Sequence, residues 1–380
     1  MKVMPNLKTR SAIRAWLFDK ALPLWAEHGF DQKNGGVVEQ MTFAGRDAGL
    51  DFKRSRVAGR QAYVFSHAHM LGWSSGNAQA GHAIAWLTDR TWLGPEKGFA
   101  RTLSREGAVK DTTPDLYDYA FILFGFAWRH RMMKDSASRD WLHRTLDFVE
   151  TTLRHPGGEG FWNEVPNKGW RQQNPHMHLT EACLAAYQAT GEERFADAVR
   201  ELVSLFQTRL FDRPTGTLAE YFTDDWNRAP GDDGRLVEPG HLMEWAWILN
   251  EARKLVGLDT ADDIRAALRF AEGYGVDPED GATFNGLRDD GAVITRASRS
   301  WPNAERIKGA VALYELDGVD PAPVIDTAAS LLLSRYLALE PAGIWIDQFD
   351  EQKRPISPTV PASTLYHLFL AFAEALRISA

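Results

Sequence analysis

The sequence predicts an all-α chain folded as an (α/α)6 barrel: six helical hairpins, with short β-hairpins in the long loops of one face. Three observations predict it. Five prolines, Pro114, Pro175, Pro239, Pro302 and Pro358, recur at intervals of 61, 64, 63 and 56 residues, and each opens a run with helical periodicity. Proline is favoured in the first turn of a helix, where its missing N–H is not needed, and a repeat of about sixty residues is long enough for two antiparallel helices. Short connections also alternate with long ones rich in Gly, Asp and Asn. Finally, no Pro- or Ser-rich linker divides the chain, so residues 1–380 read as one domain.

Taken in order, the helical segments run over roughly 8–28, 59–75, 78–94, 114–134, 138–155, 175–190, 194–211, 239–257, 261–275, 302–317, 322–338 and 358–378. FADAVRELVSLFQTRLF, with apolar residues at i, i+3, i+4 and i+7, shows the pattern of a helix that buries one face. Loops inside a pair are short, as at 191–193 and 258–260. Loops between pairs carry strand-like pieces: GGVVEQMTF at 35–43, GTLAEYF at 216–222, ATFNGLRDDGAVITR at 282–296 and GIWIDQF at 343–349. LRDDGAVI reads as a hairpin turning at Asp290-Gly291. An open superhelix of hairpins is the structural alternative, but it needs polar capping repeats, and the last helix, TLYHLFLAFAEAL, is strongly apolar.

A net charge of −8 argues against nucleic acid or an anionic membrane as partner. The single cysteine, Cys183, excludes an internal disulfide and fits a reducing, cytoplasmic setting. The N-terminal run is interrupted by Arg14, Asp19 and Lys20, so it reads as an amphipathic helix and not a leader; no segment has the length of uncharged apolar residues that spans a bilayer. Oligomeric state is left as monomer or homodimer.

The residues that could carry chemistry sit just after the prolines, near helix starts that would converge on one end of a ring. The sharpest signal is a duplicated His-x-x-Glu, His178–Glu181 and His241–Glu244. Residues three apart share a helix face, so each pair is expected to set an imidazole beside a carboxylate that orients it and raises its basicity. A metal site built from His176, His178 and Glu181 is disfavoured, because residues i and i+2 point apart on a helix. Arg60 could hold a sugar hydroxyl or snorkel to solvent. His67, His69 and His82 read as helix-surface or packing residues. Trp301 could stack on a sugar face; Trp245 and Trp247 read equally well as core. The basic run Lys53, Arg54 and Arg56 reads as a solvated loop. His367, on an apolar face, reads locally as a core histidine. No phosphate-binding glycine loop or Gly-x-Ser-x-Gly is present.

GRQAYVFSHA, YDYAF, NPHMHLTEA, EPGHLMEWAWIL, SWPNAERIKG and the terminal TLYHLF together resemble the N-acylglucosamine 2-epimerase superfamily, in its order and spacing and over most of the chain. Glu-Pro-Gly-His-x-x-Glu-Trp-x-Trp followed by Trp-Pro-x-x-Glu resembles the D-mannose isomerase branch; the Gly-His-Asp-Ile-Glu of the cellobiose 2-epimerase branch is absent. The resemblance implies an enzyme acting on a free reducing monosaccharide with no cofactor and no metal. It places catalytic histidines at His241 and His367, and sugar-binding roles at Arg60, His178, Glu244, Tyr117, Trp301 and Glu305.

The implied chemistry moves a carbonyl between C1 and C2 of D-mannose, or of D-lyxose, through a cis-enediol, giving D-fructose or the corresponding ketose. An imidazole with a pKa near 6.5 suits that proton transfer, and Arg60 would stabilise the developing oxyanion. The alternatives are a 2-epimerase of the N-acylglucosamine or cellobiose type, an (α/α)6 glycoside hydrolase or lyase drawing its carboxylates from Asp347, Glu244 and Glu305, and a non-catalytic sugar-binding barrel.

Overall fold

In the computed structural model, which describes residues 4–380, the chain is predominantly helical and divides into two compact units. The amino unit comprises Ala26–Gln40 and Asp47–Phe206; the carboxyl unit comprises Gln207–Ala380, Met41–Arg46 and the N-terminal segment up to Trp25. The N-terminal helix consists of α1 (Arg10–Arg14), a π-helical stretch Ala15–Ala21, and α2 (Leu22–His28).

The amino unit contains α3 (Ser55–Met70), α4 (Gly76–Trp86), α5 (Leu116–Met133), α6 (Ser136–Phe148), α7 (Gln173–Thr190) and α8 (Glu193–Leu205). Here α5 packs between α3 and α7, and each of these three packs on the helix that follows it. The carboxyl unit contains α9 (Pro239–Val256), α10 (Ala261–Tyr274), α11 (Ser300–Asp317), α12 (Ala322–Leu331) and α13 (Leu365–Ile378). Here α11 packs between α9 and α13, with α10 on α9 and α12 on α11. α13 packs on α1. Trp16 meets Phe372 edge-on at 5.8 Å, the Arg10 guanidinium donates to Ser379 Oγ at 3.2 Å, and the Ala380 N–H donates to the Pro5 carbonyl at 3.2 Å. The two ends of the chain thus complete the last helical pair.

The two helix classes differ as burial requires. α5 and α7 are enclosed by neighbours and bury residues all round, whereas α8 buries Phe195, Ala196, Val199, Leu202 and Val203 and turns Asp197 and Arg200 outward. The proline rhythm marks only three starts within the helix itself. Pro239 is the first residue of α9, and Pro175 and Pro302 are the third residues of α7 and α11. Pro114 instead precedes α5, whose cap is Asp115, its carboxylate accepting from the Asp118 N–H at 3.0 Å. Pro358 lies well before α13, which is entered through Pro361 and a 3-10 turn at Ala362–Thr364.

A second rhythm escaped the sequence reading. Gly36, Gly98, Gly160, Gly216, Gly281 and Gly343 all have φ between +66° and +105°. Each closes the tight loop after a helix, as in the antiparallel bridges Phe30–Val37, Trp92–Phe99, Arg154–Phe161 and Val276–Thr283. At Gly98 the requirement is double: φ is +66°, and a Cβ would come within 1.9 Å of the Tyr119 hydroxyl, which itself accepts from the Phe99 N–H at 2.7 Å.

The strand pieces are short. Phe52–Arg54, Thr102–Ser104 and Val109–Asp111 form an antiparallel trio in the amino unit. In the carboxyl unit Gly286–Arg288 pairs with Val293–Thr295 and with Leu236–Val237. The expected hairpin turns where predicted, with Gly291 at φ +86°. Of GGVVEQMTF only Gln40–Met41 is strand.

Replacing Gly98 by Ala combines a positive φ with a steric clash, and is expected to cost about 2–4 kcal/mol of unfolding free energy in a denaturant titration. Gly158→Ala, also at positive φ but with open space at the Cβ, should cost about 1–2 kcal/mol, the conformational strain alone.

Candidate active site

Five of the eight predicted site residues lie in the carboxyl unit, and the fold brings them together. His241 occupies the first turn of α9 and His367 the first turn of α13. Both are buried, at 6 % exposure. The indole of Trp301, second residue of α11, lies 5.0 Å from the His241 ring and 5.4 Å from the His367 ring. Trp301 can sit there because residue 240 has no side chain: a Cβ on Gly240 would come within 2.7 Å of the indole. That explains the glycine of Glu-Pro-Gly-His.

Each imidazole is bonded through Nδ1 to a different carboxylate. His241 Nδ1 is 2.9 Å from Glu220 Oε1, and His367 Nδ1 is 2.7 Å from Glu305 Oε1. The expected His241–Glu244 hydrogen bond does not form. Glu244, also fully buried, instead has Oε1 3.5 Å from the Lys308 ammonium, 3.4 Å from the Tyr366 hydroxyl and 3.9 Å from His367 Nδ1. A residue in the loop before α9, Glu220, takes the partner role. It lies in GTLAEYF, and no local pattern linked it to a histidine 21 positions later.

Lys308 was likewise missed, although SWPNAERIKG contains it. It is wholly buried, with its ammonium 2.7 Å from Glu305 Oε2. Donor atoms of Glu244, Glu305 and His367 all lie within 4.8 Å of one another, a grouping that could hold a metal ion by composition. Lys308 already places a positive charge against both of its carboxylates.

The charge state of His241 differs from that of a free imidazole. Burial alone would lower its pKa, but Glu220, with Glu238 and Glu244 adding to it, raises the pKa to about 9. His241 is therefore an imidazolium at neutral pH, not the pKa 6.5 base that its residue type suggested.

The other three predicted residues meet in the amino unit. The Arg60 guanidinium, buried rather than snorkelling, donates to the Tyr117 hydroxyl at 2.5 Å and lies 3.9 Å from the Phe121 ring centroid. His178 packs on the edges of Tyr117 and Phe121, at 5.1 and 4.6 Å, and its Nδ1 is 3.4 Å from Glu181 Oε2, so the first His-x-x-Glu pair does form. His176 serves the backbone: Nε2 accepts from the Phe161 N–H at 3.0 Å, so Nδ1–H donates to the Gln172 carbonyl at 2.9 Å. Burial, with Arg171 adding to it, lowers its pKa to about 3 and keeps it neutral. Tyr117 also lines a polar cleft of about 340 Å³ with Arg56, Arg101, Asp115, Glu164 and Lys168.

The basic run is not a solvated loop. Lys53 is buried and donates to Asp31 at 2.9 Å, Arg54 to Glu39 at 2.7 Å and Arg56 to Asp118 at 3.1 Å. His67 is half-buried, stacked on Trp128 at 4.2 Å, with desolvation lowering its pKa to about 3. Trp245 and Trp247 are core residues, the latter donating from its indole N–H to Glu374 at 3.0 Å.

Residues 35–371 match the N-acylglucosamine 2-epimerase (GlcNAc 2-epimerase) family. This chain belongs to that family. A curated relative named mannose-6-phosphate isomerase, from Rhizobium meliloti (strain 1021), is 33% identical over 373 residues, covering 95% of each chain. A cellobiose 2-epimerase from Bacteroides fragilis is 24% identical over 63% of this chain and 64% of its own. A solved D-mannose isomerase superposes with a TM-score of 0.87 at 21% identity, over 97% of both chains. The fold is thus the family's (α/α)6 barrel, and the protein is a sugar isomerase or epimerase with a small-molecule substrate. Among the described residues no helix is long and apolar enough to cross a membrane.

Within this candidate site, Gly240→Ala should displace Trp301 from the two histidines. Turnover is expected to fall about tenfold or more with the helical circular dichroism unchanged, because misplacement by about 1 Å is enough for such losses. A variant as active as wild type would show that the Gly240–Trp301 contact does not set the site's geometry.

Proposed function

We propose that the protein is a D-mannose isomerase, interconverting D-mannose and D-fructose through a cis-enediol, with D-lyxose as a further aldose substrate. The observation that carries this reading is the pair of buried imidazoles against one indole, each held by its own carboxylate. The names of the mannose-6-phosphate and D-mannose isomerase relatives support it. The reading takes the chain as one catalytic domain, since the family match runs through both units.

In this mechanism His367 is the base. With Nδ1 bonded to Glu305, its Nε2 takes the C2 proton of the open-chain aldose. The C2–H electrons become the C1–C2 double bond, and O1 receives a proton. His241, already an imidazolium, supplies protons to oxygen during ring opening and enediol formation. The enediol's O2–H then gives up its proton as the C2 carbonyl forms, and His367 returns the carbon proton to C1 on the same face. A single carbon base suffices for this outcome, whereas a 2-epimerase must reprotonate C2 from the opposite face. Arg60 stabilises the enediolate oxygens, and Tyr117, His178, Glu244 and Trp301 bind the sugar; Glu305 orients His367.

A phosphorylated sugar is the second reading, favoured by the name of the Rhizobium meliloti relative. The cations beside the Tyr117 cleft are already matched by acids: Arg101 lies 2.9 Å from both Asp115 and Glu164, Arg56 lies 3.1 Å from Asp118, and Lys168 lies 3.9 Å from Glu164. That balance favours an uncharged polyol over a phosphate ester.

EDTA-treated protein incubated with D-mannose in D2O and followed by proton NMR should yield fructose with deuterium at C1 in proportion to solvent exchange. Glucose alone would overturn the isomerase reading in favour of 2-epimerisation, and conversion of mannose 6-phosphate alone would select the second reading. His241→Ala and His367→Ala should each lower turnover by at least about a hundredfold with the fold intact.

The acid role of His241 predicts an alkaline limb. Activity requires the imidazolium, so it should fall as pH rises through about 9. In Glu220→Gln the hydrogen-bond geometry is kept but the anion is gone. Its alkaline limb should move down by one unit or more in the kcat profile.

A further inference from the structure

The cluster beside His367 contains a buried cation that the mechanism above does not use. We propose that Lys308 is a positioning residue of this site, an internal cation that cancels one of the two carboxylates beside His367 and so lets the ring release its proton at neutral pH. The inference rests on His367 being the C2 base.

Counting charge makes the case. Glu244 and Glu305 contribute two negative charges and Lys308 one positive charge, all three side chains being buried. With a neutral ring the cluster carries −1, and with a protonated ring it is balanced. With Lys308 present the neutral ring thus faces one unbalanced negative charge and not two. Without Lys308 the neutral ring would face −2 inside a low-dielectric pocket, and the cluster would recover the lost charge by binding a proton tightly. His367 would then be locked as a cation, the state that carboxylates impose on His241.

The surroundings make Lys308 part of the site's construction. It stands one turn after Glu305 on α11, with its ammonium 4.6 Å from the Trp247 ring and 5.9 Å from the Tyr366 ring, which fence it from water. The ammonium is ion-paired with Glu305 Oε2 at 2.7 Å, and Glu305 Oε1 is the acceptor for His367 Nδ1–H. The other titratable or charged groups around His367 include His241, paired with Glu220 across the Trp301 indole, and Asp347, which accepts from Thr364 at the entrance of α13. Tyr366 on α13 is bonded to Glu244, and Arg299 before α11 stacks on Trp301 and pairs with Glu238 at 2.7 Å. Glu374 and Arg377 pair with each other near the far end of α13, where Arg10 of α1 reaches Ser379. None of these replaces the charge of Lys308 beside Glu305.

The test compares wild type, Lys308→Met, Lys308→Arg and the double variant Lys308→Met/Glu244→Gln. Each is measured as the kcat–pH profile on D-mannose and as the NMR titration of the His367 ring without substrate, with the fold monitored by circular dichroism. In Lys308→Met the acidic limb and the ring titration should both move up by at least one pH unit, giving a roughly tenfold or larger loss at pH 7 that diminishes at higher pH. Lys308→Arg should keep the wild-type profile, and the double variant should move back toward it. A folded Lys308→Met with an unmoved titration, or with equal loss at every pH, overturns the proposal and leaves Lys308 a purely structural residue. Should Lys308→Met fail to fold, Glu244→Gln alone decides, because it removes a negative charge with the lysine retained. It must move the titration down, and an unmoved titration overturns the proposal. The ring titration needs no turnover, so a wild type that converts no sugar would sink the isomerase reading without touching this result.

Discussion

A helix enclosed by neighbours has little room for polar groups along its length, and that constraint organises both units. α5 lies between α3 and α7, and α11 between α9 and α13, each also covered by the helix that follows it. Apolar residues fill the enclosed flanks: Ile122, Leu123, Phe124 and Phe126 on α5, Leu242, Met243 and Ile248 on α9. Polar side chains gather at the opening turns, where the first backbone N–H groups lack helical partners and the helix dipole favours negative charge. Tyr117, His241, Trp301 and His367 all sit within a turn of a helix start. Deeper along the helices, buried polar side chains such as Glu244 and Lys308 occur against an opposite charge.

Charge brought into such a place must be matched. An unpaired buried ion costs several kcal/mol, and removing one partner of a buried pair costs about 3–5 kcal/mol. The structure answers with pairs throughout: Lys53 with Asp31, Arg56 with Asp118, Lys308 with Glu305, His241 with Glu220. The same rule separates the two histidines. His241 meets Glu220 with further acids nearby and is held as a cation. His367 meets two carboxylates that share a lysine. Two identical side chains thus sit in different charged surroundings.

The long loops are part of the site's machinery as well as connections. The loop 211–238 delivers Glu220 to His241, and Asp347 accepts from Ser300 Oγ at 3.0 Å and from Thr364 Oγ1 at 2.8 Å, tying the start of α11 to the entrance of α13. The other two acids that the sequence offered for glycosidic cleavage, Glu244 and Glu305, both lie against Lys308.

Much of this was legible in the sequence. Helical periodicity and the alternation of loop lengths are local properties, so the number and order of helices followed from them, and the Asp290-Gly291 turn from its dipeptide. Some of the site followed too: His178 meets Glu181 because residues three apart share a helix face, although the same spacing did not join His241 to Glu244. The rest depended on distance in sequence. Glu220 is 21 positions from His241, and Glu305 is 62 from His367. The composition named the residue types, and the local pattern placed them near helix starts. Which carboxylate would meet which imidazole, that a lysine would lie buried beneath one of them, and that His241 would be charged were decided only by tertiary structure. Proton affinity depends on charges within a few ångströms, and those neighbours are chosen by packing.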